Sequence, residues 1–171
     1  ATTDAICVCS STECVIKDGC EGTFDWNSDG LKTVPAGYCN VWGYGEYSTI
    51  TMPSGAVFDS VSLPFWDYAT VNGSFTTNKL SSTGHTDTHL NDLDTVITFN
   101  DTVTVNDTVT LQEASSGGKG VTMKFLKGLK GSPSCKVEKR VPSTGCSSVS
   151  CSKVVDTSTT CSCSSSECKI N

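Results

Sequence analysis

Eleven cysteines constrain this chain most, because none of them falls within residues 40–134. Cys7, Cys9, Cys14, Cys20 and Cys39 precede that run, and Cys135, Cys146, Cys151, Cys161, Cys163 and Cys168 follow it. The flanks share a spelling. One reads Cys7-Val8-Cys9-Ser10-Ser11-Thr12-Glu13-Cys14, the other Cys161-Ser162-Cys163-Ser164-Ser165-Ser166-Glu167-Cys168. Disulfides at this density persist in an oxidising compartment. A reduced metal-binding protein would show CxxC pairs at zinc spacing, which are absent, and only two histidines are present. The expectation is a secreted, extracellular chain, mature from Ala1, with no apolar run long enough to span a membrane. It reads as one domain over residues 1–171, with cysteine-rich stapling segments 1–39 and 135–171 around a β body of 40–134. The close pair Cys7 and Cys9 is expected to bond to distant cysteines. An odd count leaves at least one thiol over, for a disulfide-linked homodimer or a free site.

Within the body, short runs rich in Val, Thr and aromatics alternate with turn residues. Candidate strands cover 48–52, 56–63, 64–71 after its proline, 74–77, 95–99 and 102–111, and 121–129 is read as a strand in preference to a helix. In the 56–63 run, Val57, Asp59, Val61 and Leu63 share one parity and Phe58 the other. Asn72-Gly73 predicts a hairpin. The phrase Asn100-Asp101-Thr102-Val103-Thr104 recurs as Asn106-Asp107-Thr108-Val109-Thr110, which fits either successive rungs of a coil or one longer strand. The fold class is therefore all-β. A disulfide-stapled β-sandwich is preferred, with a short β-helix-like coil as runner-up.

Charge is unevenly spread. Residues 1–113 carry 15 acidic and 3 basic side chains, and residues 114–171 carry 9 basic and 3 acidic. The acidic part argues against nucleic-acid binding. The basic part either meets an acidic partner or complements the acidic part within one fold, and the second reading is preferred.

Five sets of residues stand out. Asn72, Asn100 and Asn106 each open an N-glycosylation acceptor, making the chain a glycoprotein candidate. Lys139-Arg140 is the only dibasic pair, a processing site or else an intact basic loop. Asp25, Asn27 and Asp29 alternate ahead of Gly30 as calcium-loop ligands do, although Ala36 stands where a closing Glu belongs. A plain turn rich in Asp and Asn is the preferred reading there. His85, Asp87 and His89 could offer two imidazoles and a carboxylate to zinc or copper, with a polar loop as the preferred alternative. Trp42, Tyr44 and Trp66 are the binding candidates. The glycines of Trp42-Gly43-Tyr44-Gly45 allow unusual backbone and open access to the rings, whereas most other aromatics belong in a core.

No nucleophile elbow, Walker loop or dinucleotide fingerprint is present. The favoured function is a non-catalytic binding protein for a carbohydrate or protein partner at a host, cell-wall or cell surface, without cofactor. A small metal-dependent enzyme or hydrolase around His85 and His89 is the alternative, and a disulfide-linked structural or adhesion protein is the third reading. In overall style the chain resembles the small secreted, effector-like proteins of eukaryotic microbes, especially fungi. That likeness is one of type and assigns no residue a role.

Overall fold

The computed structural model describes residues 4–10, 12–27, 30–44, 47–63, 68–82, 95–114, 120–142 and 152–171. A ribbon of β1 (Asp4–Cys9) and β2 (Cys14–Cys20) comes first. The chain then alternates between two sheets. β3 (Thr23–Asn27) lies in the first and β4 (Leu31–Thr33) in the second, followed in the same alternation by β5 (Asn40–Tyr44), β6 (Ser48–Thr51), β7 (Ala56–Ser62) and β8 (Tyr68–Asn72). β9 (Phe75–Ser81), β10 (Thr95–Phe99), β11 (Val103–Gln112) and β12 (Val121–Phe125) continue it. β13 (Leu129–Lys130), β14 (Ser134–Pro142) and β15 (Ser152–Val155) return to the first sheet, and β16 (Cys161–Cys163) and β17 (Glu167–Ile170) join the second. The sheets have eight and seven strands, and the described residues contain no helix.

All neighbours from β3 to β14 pair in parallel. A parallel neighbour cannot be reached by a tight hairpin, so each strand crosses to the facing sheet before its neighbour is laid down. The sandwich-like pair of sheets is thus wound as a coil. In the second sheet Leu31 stacks on Thr49, Thr49 on Thr70, Thr70 on Thr98 and Thr98 on Lys124.

Asn72-Gly73 is accordingly not a hairpin. It is the corner where the chain leaves β8 for β9 in the other sheet. Gly73 has φ 90°, and its N–H donates to Asp101 Oδ2 of the next corner at 2.7 Å. The repeated Asn-Asp-Thr-Val-Thr phrase does not mark two rungs. Its first copy forms a corner and runs into β11, and its second lies inside β11, where a bulge between Val105 and Thr108 absorbs Asn106 and Asp107. The expected parity of β7 also breaks. Phe58 and Val61 are both buried, while Val57 faces the ribbon instead of the main core. Thr77 and Leu80 repeat the three-residue step in β9.

Inward side chains stack into rows. Phe24, Val41, Val61, Leu80, Val109 and Cys135 form one in the first sheet. Phe58, Phe75, Phe99 and Phe125 make a continuous aromatic path across both sheets. A smaller cluster of Ile6, Val8, Cys20 and Cys39 docks the ribbon on Val57.

The C-terminal edge is closed by antiparallel pairing of β17 on β12 and of β15 on β14. Disulfides hold both ends: Cys9–Cys14, Cys20–Cys39, Cys135–Cys161 and Cys163–Cys168. Cys9 therefore bonds locally, not distantly, because the antiparallel register sets it opposite Cys14. The shared spelling is a shared structure. In both copies the last two cysteines bridge a hairpin, and Ser10 or Ser164 Oγ accepts from the backbone N–H of Glu13 or Glu167. Cys7 is an exposed free thiol, 3.7 Å from Cys9 Sγ.

Two carboxylates brace the coil. Asp101 accepts from Gly73 N–H and Lys127 Nζ, which hold its carboxyl below the usual range. Glu113 accepts from Thr157 and Thr159 and lies near Lys139, and its carboxyl is lowered as well, chiefly by Thr157. A folded pKa below the unfolded one means that the unfolded chain binds more protons in that window. The stability contributed is fully present above the ordinary values near 4 and is lost as pH falls through the lower folded values. Urea midpoints should therefore drop between pH 7 and strongly acidic pH, and Asp101→Asn with Glu113→Gln should flatten that dependence. An unchanged slope in the double variant would sink the assignment.

Candidate binding face

Every strand of the coil has one face inside and one outside, so stacking builds rows on the surface as well as in the core. In β5, Val41 and Gly43 are buried and Trp42 between them points outward, half-buried. Register places Trp42 beside Asp25 on one side and Ser62 on the other. The row continues through Ser81 and Thr110 to Lys136. A parallel row runs from Thr23 through Asn40, Ser60, Lys79 and Thr108 to Ser134. Ser60 Oγ donates to Asn40 Oδ1 at 2.8 Å, which ties neighbouring strands on the outside.

Two shallow concavities lie along these rows. One of about 510 Å³ spans Trp42 to β14, and the other, about 560 Å³, spans Trp42 to β3. Trp42, Ser60 and Ser62 line both, so the indole stands where they meet. The face thus presents one aromatic ring among Ser and Thr hydroxyls. At its far end Arg140 is ion-paired with Glu138, both on β14. On the opposite sheet, Tyr47 and Tyr68 form an exposed edge-to-face pair with ring centroids 4.8 Å apart.

The other expected sites fall as follows. Asp25 is exposed on β3, in extended backbone beside Trp42, and Asn27 ends the same strand. Asp29, Trp66, His85, Asp87 and His89 lie outside the described residues, and Tyr44 is described only as the last residue of β5. Among the described residues the cluster of potential metal-ligand side chains is Cys7, Cys9 and Cys14, two of which are joined as a disulfide. Asn100 Nδ2 donates to Asn72 Oδ1 at 2.7 Å, so two of the sequon side chains are bonded to each other at adjacent corners. The third, Asn106, has a buried Oδ1 with no hydrogen-bond partner. Lys139-Arg140 is not in a loop. It lies in β14, paired with Val155 and Val154 of β15, in strand geometry that a processing protease would have to open.

The hydroxyl rows were missed from sequence. Their signal is Ser60-Val61-Ser62, Thr108-Val109-Thr110 and similar triplets, and it has meaning only once those triplets stack. The chain matches no protein family model, no curated protein and no solved structure.

Proposed function

We propose that this chain is a secreted, non-catalytic carbohydrate-binding protein, with the outer face of the eight-stranded sheet as its binding surface. The observation that supports this most is the outward Trp42 at the meeting point of two concavities walled by hydroxyl rows. A sugar ring has an apolar C–H face that stacks on an indole and an equatorial edge that exchanges hydrogen bonds with hydroxyls. A parallel ladder fixes those hydroxyls at about 4.8 Å intervals, so they are pre-ordered before a ligand arrives. The four disulfides among the described residues suit an oxidising, extracellular setting.

The test is a screen of the intact protein on immobilised glycans, followed by calorimetry with the best ligand. Trp42→Ala should weaken binding roughly thirtyfold, about 2 kcal/mol, as expected for a central aromatic anchor. Tyr68→Ala, on the other sheet, should leave affinity unchanged. Equal loss from both variants, or no glycan bound by the native protein, would overturn the proposal.

A further inference from the structure

We infer that the glycan held by this face is anionic, with its acidic groups read by Lys79 and Lys136. This rests on the carbohydrate reading and narrows it.

The face is electrically divided along its length. Asp25 stands at the β3 end, beside Trp42. Past Trp42 the sign reverses. Lys79, Lys136 and Arg140 line the concavity that runs from Trp42 to β14, against one acid, Glu138. Glu138 is already paired with Arg140, so that couple is neutral within the face. Lys79 and Lys136 are exposed and have no ion-pair partner among the described residues. Two uncompensated cations therefore share one groove in a chain whose net charge is −6. Against that background a local positive patch has a purpose that a scattered surface lysine lacks, because an acidic protein otherwise repels a polyanion.

Register gives the spacing. Trp42 and Lys136 lie in one row, separated by Ser62, Ser81 and Thr110. Four strand spacings of about 4.8 Å put them ~19 Å apart, the length of a short oligosaccharide laid across the strands. Lys79 sits between them in the neighbouring row, flanked by Ser60 and Thr108. A chain stacked on Trp42 would meet hydroxyls first, then one ammonium, then the second. Each lysine is a point charge on a flexible stem, which suits carboxylate or sulfate groups of varied orientation. Charge complementarity separates this ligand from a neutral glycan. The hydroxyl rows and the indole separate it from an acidic peptide, which would not need them.

The experiment compares oligogalacturonate with its fully methyl-esterified form, which keeps the sugar and removes the charge. Heparin-derived oligosaccharide and poly-glutamate complete the set. The native protein should bind oligogalacturonate or the heparin oligosaccharide at least about tenfold more tightly than the ester at low salt, and the advantage should shrink as salt screens it. Oligogalacturonate carries carboxylates alone, so its binding identifies carboxylate as a group read, whereas binding of the heparin oligosaccharide only, which carries sulfates besides carboxylates, points to sulfate. Lys79→Gln with Lys136→Gln should erase the preference, bringing affinity for the acid down to that for the ester, while Lys124→Gln on the opposite sheet should change nothing. Binding of both acidic glycans no tighter than that of the ester would overturn the anionic inference and leave the carbohydrate reading standing. Poly-glutamate bound as tightly as either glycan would overturn it in favour of an acidic protein partner. Failure of every glycan, the neutral ones included, would remove both.

Discussion

Phe99→Ala should lower the stability of this protein by about 3–5 kcal/mol, the range for truncating a large buried aromatic. Phe99 is fully buried at the end of β10. It stacks on Phe125 with centroids 4.9 Å apart and planes at 11°, and it meets Phe75 of the facing sheet at 6.1 Å. The side chain is therefore a link between adjacent rungs and between the two sheets. In a coil each rung touches only its neighbours, so a void there weakens both interfaces it joins. The loss compares with a total stability of roughly 5–15 kcal/mol for an ordinary domain. Urea unfolding should show a lower midpoint with little change in slope. Leu126→Ala is the control, because Leu126 is 66% exposed and should cost no more than about 0.5 kcal/mol. A cost for Phe99→Ala as small as the control's would mean that the Phe path is not the link between sheets.

The class of this fold was legible because β-branched and aromatic residues alternate with polar ones between turn residues. The winding was not. Asn72-Gly73 announces a reversal, but a turn signal does not say which strand the chain comes back to. Here the corner leads across the core, and Asn72 ends up bonded to Asn100 of the next rung instead of facing its own sequence neighbours. Rungs of unequal length hide the repeat that would have revealed this. Thr49 meets Thr70, but Thr70 must wait for Thr98. Parity failed in β7 for a local reason. Asp59 and Ser60 lie between two inward residues, Phe58 and Val61, so the strand changes face without a break in sequence character.

The disulfide ends divide in the same way. The matching spelling of the two flanks did foretell matching structures. The local Cys9–Cys14 pairing was hidden because register, not spacing, places those residues opposite each other. Trp42 could be picked from sequence as an outward ring, but its hydroxyl neighbours towards β14 come from three other strands, β7, β9 and β11. No linear motif spans them. Sequence reads Gly43 as opening access on the outside, but Gly43 is buried and Trp26 packs against it from β3.

Gly43→Ala should therefore be among the most damaging small substitutions in the chain, costing about 3 kcal/mol by overpacking. A methyl group at Gly43 would fall well inside van der Waals distance of the Trp26 ring atoms Cδ2, Cε2 and Cε3. The φ of Gly43 is not positive, so backbone strain adds nothing and the cost is steric. The ring cannot move far, because Trp26 is 8% exposed and Phe24 lies beside it at 5.8 Å. Strand β5 must then shift away from β3, and Trp42, the next residue, shifts with it. The variant should lose glycan affinity along with stability. Trp26→Leu supplies the test by making room from the other side. In that background Gly43→Ala should cost little further, giving a coupling of about 2 kcal/mol between two residues in contact. The same double variant should regain part of the affinity lost in Gly43→Ala alone. An equal cost in both backgrounds would show that the glycine is needed for something other than the ring. A rescue of stability and affinity together would mean that the outward position of Trp42 is set from inside the coil, by the absence of a side chain beneath Trp26.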